Sequence, residues 1–165
     1  MPGVGAQTLD SVSGRIIGGL ALIAIGLGVA YAYGVLKAEK KKTSLITLVN
    51  EIHKAYPDSN FSKMGVIPAA NLVNSGVLSS GTAERNDNTT LNRDGMAITI
   101  RAGNGTAKNT YTLSLKSIDA QLCKKLYNLP LAGLTSVRAG DNTQKTSTDC
   151  DTINTSAPLV FNIKG

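Results

Sequence analysis

The segment Ile16–Leu36, IIGGLALIAIGLGVAYAYGVL, decides the fold, because its 21 residues include no charged side chain. An α-helix rises about 1.5 Å per residue, so this segment would span roughly 30 Å, the thickness of the hydrocarbon core of a membrane. It is longer than the apolar core of a signal peptide, and the helical pattern continues beyond it. The sequence therefore predicts a transmembrane helix that the mature protein retains.

The residues after this segment have an amphipathic pattern. Apolar side chains at spacings of 3, 1, 3 and 4 place one stripe on a helix, formed by Leu45, Leu48, Val49, Ile52 and Tyr56. No proline occurs between Pro2 and Pro57, so the pattern predicts one long helix from about residue 10 to Tyr56. The first half of this helix is apolar nearly all round, and the stripe on the second half is expected to pack against a globular head.

The remaining residues predict a small α+β head. Met96–Arg101 and Thr110–Lys116 both alternate between apolar and polar residues, and a glycine-containing linker joins them. We expect these two strands to pair antiparallel and to press one face on the long helix. The other predicted elements are a short helix from Pro68 to Gly76, a loop over Thr82–Gly95, a helix over Ser117–Tyr127 with Ser117 as its N-cap, and strands over Leu134–Ala139 and Leu159–Ile163.

This pattern predicts two regions. Residues 1–36 would form an N-terminal extension and a transmembrane or filament-core helix. Residues 37–165 would form the amphipathic helix half and the head. The predicted fold class is α+β, with the long helix packed on a small antiparallel sheet and with a disulfide-bounded C-terminal region.

Two cysteines, Cys123 and Cys150, flank a polar loop near the C-terminus. In a reducing compartment they would be buried thiols, whereas outside it an even cysteine count favours a bridge. Because the apolar helix is expected to be retained in a membrane, we predict a structural disulfide. The chain has neither a C-x-x-C motif nor a nearby histidine, so no redox or zinc role is expected.

The composition gives little support for catalysis. The chain has five Tyr, two Phe, no Trp and one His, which argues against a haem pocket, an aromatic nucleic-acid platform and a His-rich metal site. His53 has no Ser, Cys or acid at catalytic spacing, and the lysines of residues 37–42 are interpreted as a solvated turn. We therefore predict no enzyme, no cofactor, no metal and no direct nucleic-acid binding.

The lysines of residues 37–42 and the cysteines predict opposite orientations of the chain across the membrane. The positive-inside rule would place the lysines, and with them the C-terminal side, in the cytoplasm, since only Arg15 lies on the other side of the apolar segment. A disulfide requires the opposite orientation. A basic leader that once preceded Met1 and was then removed would reconcile the two.

The order of these features resembles that of type IV pilins, and the C-terminal half looks like the type IVb class. The resemblance rests on a polar start with an acid in TLDS (Thr8–Ser11), the apolar helix, its amphipathic continuation, the antiparallel strands and SLKSIDAQLCKKL (Ser114–Leu126), which contains the first cysteine. It implies a structural subunit that is processed by a prepilin peptidase. It also implies an assembly ATPase, an inner-membrane platform protein and many copies of this chain as partners.

The resemblance also suggests assembly residues. Pilins of this family generally have Glu as the fifth residue of the processed chain, where it pairs with the N-terminal amine of a neighbouring subunit. Here residue 5 is Gly5 and the nearest acid is Asp10, so that role is carried to Asp10, with Met1 as the processed end. A salt bridge between Asp10 and Arg15 of different subunits is one expectation, and an exposed N-terminal turn holding both is the other.

A helix that is apolar on all sides must lie in lipid or in a bundle of identical helices. One head-to-tail contact repeated with a rotation that does not close gives a fibre. Gly26 and Gly28 weaken the helix, because each glycine costs about 1 kcal/mol relative to alanine, and we expect the packed helix to stretch there.

The predicted function is a major pilin of an extracellular filament used in adhesion, aggregation or conjugative mating, held in the inner membrane before assembly. Two alternatives stay open. One is a membrane-anchored periplasmic or extracellular binding domain, and the other is a minor pilin or pseudopilin. Abundant fibres made of this chain would separate the first function from the binding domain, and subunit stoichiometry would separate it from a minor pilin.

Overall fold

The computed structural model describes residues 31–140, 150–151 and 158–165. The chain divides into two units, Met1–Glu39 and Lys40–Gly165. Helix α1 covers residues 31–55 of the described chain. The part of the predicted long helix that precedes residue 31 lies outside the described residues. No helix among the described residues combines the length and the hydropathy that crossing a membrane requires.

The second half of α1 is buried along one stripe. Leu45, Leu48, Val49 and Ile52 are fully buried in the main hydrophobic core, and Tyr56 is partly buried against it. Fully burying a side chain of this size contributes about 1.5–3 kcal/mol. The helix ends at residue 55, just before the Tyr56-Pro57 step, because the residue before a proline is disfavoured in the helical conformation.

The head contains one antiparallel sheet of six strands, in the spatial order β1-β2-β3-β4-β6-β5. The strands are β1 (Thr82–Ala83), β2 (Thr90–Arg93), β3 (Met96–Ala102), β4 (Thr110–Lys116), β5 (Leu134–Ala139) and β6 (Leu159–Lys164). The described residues of the head also form two short α-helices, α2 (Pro68–Asn74) and α3 (Ala120–Tyr127), and two single-turn 3-10 helices, Phe61–Met64 and Gly105–Ala107. The predicted α+β class and the antiparallel sheet are therefore confirmed.

The strands alternate between a buried and a more open face, as half-buried antiparallel strands do. On the inner face, Ile98 and Ile100 of β3 lie opposite Leu115 and Leu113 of β4. Leu113 in turn lies opposite Phe161 of β6. All five side chains are fully buried, so this face and the α1 stripe form one core.

The predicted pairing of β3 with β4 is confirmed, with Ala97 opposite Lys116 at one end and Ala102 opposite Tyr111 at the other. The bounds predicted for β4 and β5 are also confirmed. Gly103 lies in the connection, where an added Cβ would come within 2.1 Å of the Ala107 carbonyl oxygen. Only glycine fits at this close approach of two backbone segments.

The loop predicted over Thr82–Gly95 was wrong, since it contains strands β1 and β2. Asp94 and Gly95 both adopt positive φ, at 49° and 74°, and Arg93 pairs directly with Met96. Positive φ at both central residues is the geometry of a two-residue hairpin turn, for which Asp-Gly is a preferred sequence. The polar residues therefore mark a hairpin rather than a long loop.

The start predicted for α3 was also wrong. The helix begins at Ala120, and its N-cap is Asp119, whose carboxylate accepts a hydrogen bond from the Leu122 backbone N–H at 2.7 Å. Ser117 instead has a φ of 58°, which lies outside the conformation of an N-cap residue. A carboxylate at the N-cap also interacts favourably with the helix dipole.

Candidate functional site

The outer face of the sheet carries polar side chains in two rows that cross four strands. In the first row Arg101 lies opposite Thr112, Thr112 opposite Asn162, and Asn162 opposite Ser136. In the second row Thr99 lies opposite Ser114, Ser114 opposite Val160, and Val160 opposite Arg138. Strict alternation along each strand brings these residues to one face.

These rows form an open groove of about 550 Å³. Its lining comprises Thr99, Arg101, Thr112, Ser114, Lys116, Ser136, Val137, Arg138, Pro158, Val160 and Asn162. Among these described residues, no side chain is acidic and none is aromatic. The groove therefore combines cations and hydroxyl groups with a small apolar contribution from valine and proline.

Three exposed cations surround the floor of the groove. Arg101 and Arg138 lie on β3 and β5, three strand spacings apart, and in different rows, two residues apart along the strands, so their backbones are separated by about 16 Å. Lys116 lies two residues beyond Ser114 on β4, about 7 Å along the strand. Within the described part of the chain, none of the three forms an ion pair. The Asp87 carboxyl is close enough to Lys116 to interact, although hydrogen bonds from Thr89 and Thr90 are the larger cause of its lowered pKa.

The floor of the groove is partly fixed by its own hydrogen bonds. The Asn162 amide nitrogen donates to the Ser136 hydroxyl at 2.8 Å, and the hydroxyls of Thr90 and Thr99 are 3.1 Å apart. The half-buried hydroxyls of Thr112 and Ser114 make no hydrogen bond to another described residue. Their donor and acceptor capacity is directed at the open side of the sheet.

A buried ion pair lies elsewhere in the head. Arg93 of β2 donates to the Glu51 carboxylate of α1 at 2.6 Å, and the two side chains are only 3% and 16% exposed. Glu51 also accepts the Ser79 backbone N–H at 3.0 Å, and Arg93 donates to the Ser79 hydroxyl at 3.2 Å. This network joins the helix, the second strand and the segment after α2.

His53 packs among aromatic rings. Its ring centroid is 5.4 Å from that of Phe61 and 5.9 Å from that of Tyr111. Burial lowers the pKa of His53 and raises that of Tyr111. Among the described residues, neither the His53 Nε2 atom nor the Tyr111 hydroxyl has a hydrogen-bond partner. The arrangement is that of a packed core cluster.

The predicted disulfide is confirmed. Cys123 of α3 is bonded to Cys150, and their Cα atoms are 5.6 Å apart. Both cysteines are fully buried, and next to them Lys124 and Asp151 form an exposed ion pair. The bridge therefore links α3 to the segment that connects β5 and β6.

The structure brings together some predicted site residues and does not reach others. Leu45, Leu48, Val49, Ile52 and Tyr56 meet in the core. The proposed assembly residues Asp10 and Arg15, and the glycines Gly26 and Gly28, lie outside the described residues. The described residues contain no cluster of three His, Cys, Asp or Glu side chains that could hold a metal ion.

The groove was missed by the sequence analysis, although part of its signal was visible. The alternation over Met96–Arg101 places Thr99 and Arg101 on the face of β3 opposite Ile98 and Ile100. What the sequence lacked was the strand order, because the placement of β6 between β4 and β5 brings Arg138 onto the same face. Comparisons with known protein families, with curated proteins and with solved structures give no match.

Proposed function

We propose that this chain is a non-enzymatic structural subunit that polymerises, through its N-terminal helix, into an extracellular filament of the type IV pilus kind. The single observation that carries the proposal is a change in composition along the chain. Residues 40–55 of α1 bury an apolar stripe in the head, whereas the segment Ile16–Leu36 contains no charged side chain and, as a helix, would be apolar on every side. Such a segment requires lipid or other copies of itself around it.

The described start of α1 supports the same proposal. Tyr31, Tyr33 and Leu36 are 78%, 68% and 69% exposed. Large apolar side chains exposed together are typical of surfaces that bind a partner. In a filament, the helices of neighbouring copies would cover them, and before assembly the inner membrane would cover the apolar segment.

The disulfide supports an extracytoplasmic location, because structural disulfides persist in oxidising compartments. By resemblance, the chain would depend on a prepilin peptidase, an assembly ATPase and a platform protein. Adhesion, aggregation and conjugative mating are the uses that such a filament would serve.

The first test is electron microscopy of material sheared from cells that produce this chain, combined with intact-mass analysis. We expect abundant fibres composed of this chain, with the mass of the disulfide-bonded form. Cells that hold the chain in the membrane and release no fibres would contradict the proposal.

A matched pair of substitutions makes the test specific. Leu36→Glu places a charge on an exposed apolar position of α1 and is expected to reduce fibre yield more than tenfold, because burial of an unpaired charge between copies is costly. Lys54→Glu changes an exposed position of the same helix and should leave the yield within about twofold.

Asp10→Ala tests the assembly role carried to that residue, and normal fibre yield would exclude an essential role.

The groove on the outer face favours a second candidate function, a membrane-anchored extracellular binding domain. Its volume of about 550 Å³ lies within the range of about 300–1,000 Å³ that is typical of ligand sites. This candidate predicts ligand binding without fibres. A minor pilin or pseudopilin would instead be found in fibres at a small fraction of the subunits.

A further inference from the structure

We propose that the groove on the outer face of the sheet binds an acidic polysaccharide. The groove is open and lies entirely within the unit Lys40–Gly165. The inference does not require polymerisation, because one copy of the head contains the whole site. It would apply equally to a filament subunit and to an anchored binding domain.

The spacing of the cations favours a chain of charges over a single small anion. Arg101 and Arg138 stand about 16 Å apart at the backbone, and Lys116 lies on the intervening strand β4, two residues beyond the row that contains Arg138. The screening length in physiological salt is about 8 Å, so one small anion interacts strongly with only part of this set. A polymer with acidic groups repeated along its length can contact all three cations at once.

The floor favours sugar hydroxyls as the uncharged part of the ligand. Thr112 and Ser114 each present a hydroxyl that can both donate and accept a hydrogen bond. The Asn162 amide nitrogen donates to Ser136, which leaves the amide oxygen as an acceptor. A sugar ring offers donors and acceptors that match these groups, whereas the bridging units of polyphosphate offer acceptors alone.

The lining also distinguishes an acidic polysaccharide from single-stranded nucleic acid. Proteins that bind single strands stack the bases on aromatic side chains. The described lining contains none, and its apolar part consists of Val137, Pro158 and Val160. Stacking therefore contributes nothing here, and recognition would depend on charge and on hydrogen bonds to the floor.

The test measures binding of the full-length chain, in non-ionic detergent, to a size-fractionated heparin oligosaccharide. Arg101→Gln, Lys116→Gln and Arg138→Gln combined are expected to weaken binding about 30-fold, since each exposed ion pair contributes about threefold. The charge-matched control combines Lys54→Gln, Lys108→Gln and Lys125→Gln, which are exposed positions outside the groove. This control should bind within about twofold of the unmodified chain.

A second variant tests the floor. Thr112→Val with Ser114→Ala removes both hydroxyls without adding bulk and should weaken oligosaccharide binding about fivefold, since two hydrogen bonds are lost. Binding of polyphosphate should be unaffected by this exchange. Circular dichroism checks that each variant is folded, and Arg101→Gln and Ser114→Ala alone replace any multiple variant that is not.

Several outcomes would overturn the proposal. They are an equal loss in the control triple variant, no loss in the floor variant, and binding of polyphosphate, single-stranded DNA or polyglutamate at least as tight as that of heparin. The first would indicate general attraction to a basic chain, and the last would assign the groove to another class of polyanion. Neutral dextran should not bind at any salt concentration.

Discussion

The Glu51–Arg93 ion pair is more deeply buried than the Lys40–Asp94, Lys63–Asp58 and Lys124–Asp151 pairs. We expect Glu51→Gln to lower the free energy of unfolding by about 3 kcal/mol, because it leaves the Arg93 guanidinium buried without its counter-charge. Adding Arg93→Met should recover part of the loss, since the unpaired charge is then removed. Chemical denaturation at pH 7 measures both effects.

The pH dependence of that loss distinguishes a charge effect from a packing effect. Burial alone raises the pKa of Glu51, but hydrogen bonds from Arg93 and Ser79 outweigh burial and hold the pKa below its ordinary value of 4.5. A carboxyl with a lowered folded-state pKa stabilises the fold above its ordinary pKa and loses that contribution as the pH falls through the folded value. The difference between the variant and the unmodified chain should therefore shrink below about pH 4.

The exposed pair between Asp58 and Lys63 is the matched control. Its two side chains are about half exposed, and exposed ion pairs contribute little to stability. Asp58→Asn should leave the denaturation midpoint nearly unchanged. A comparable midpoint shift in both variants would contradict the special role of the buried pair.

The burial of Arg93 could not be predicted from local pattern, because its partner Glu51 lies 42 positions away on another element. Only the pairing of β2 with β3 places this arginine beside α1. The burial of the apolar stripe of α1 could be predicted from local pattern, because its residues recur at helical spacing within one segment. A contact between distant polar residues depends instead on the complete topology.

At the level of elements, the N-cap of α3 gives a direct test. Asp119→Ala removes the side-chain acceptor for the Leu122 N–H and should lower the free energy of unfolding by about 1 kcal/mol. Ser117→Gly should be neutral or stabilising, because Ser117 already has a φ of 58°, a region that glycine enters without strain. Thermal denaturation monitored by circular dichroism measures both. A larger loss of stability in Ser117→Gly than in Asp119→Ala would indicate that Ser117, and not Asp119, is the N-cap.

The elements also show which kinds of sequence signal are reliable. Strands β3 and β4 were predicted because alternation over six or seven residues is a strong signal. Strand β1 has two residues and β2 has four, too few for alternation to stand out. The Asp94-Gly95 pair was the available clue, since Asp-Gly is a preferred dipeptide for a two-residue hairpin turn.

At the level of the whole molecule, the strand order explains why the groove on the outer face could not be predicted from the sequence. Strand β6 is last in the chain yet lies between β4 and β5, so residues more than 45 positions apart meet on one face, as Thr112 and Asn162 do. The hydrophobic pattern defines the inner face, because burial requires apolar residues there. The outer face has no such requirement, and its chemistry becomes visible only when the strand order is known.

The disulfide connects this topology to the stability of the entire head. Cys123 and Cys150 are separated by 27 positions, and closing a loop of that length stabilises a fold by about 3.5 kcal/mol in the chain-entropy model. We therefore expect Cys123→Ala with Cys150→Ala to lower the free energy of unfolding by about that amount while the sheet still forms. The β4–β6 ladder and the α1 stripe do not include either cysteine, so the far-ultraviolet circular dichroism of the variant should match that of the oxidised chain. Complete loss of the folded spectrum at 25 °C would show that the bridge is required for the head to fold, and an unchanged denaturation midpoint would show that it contributes nothing.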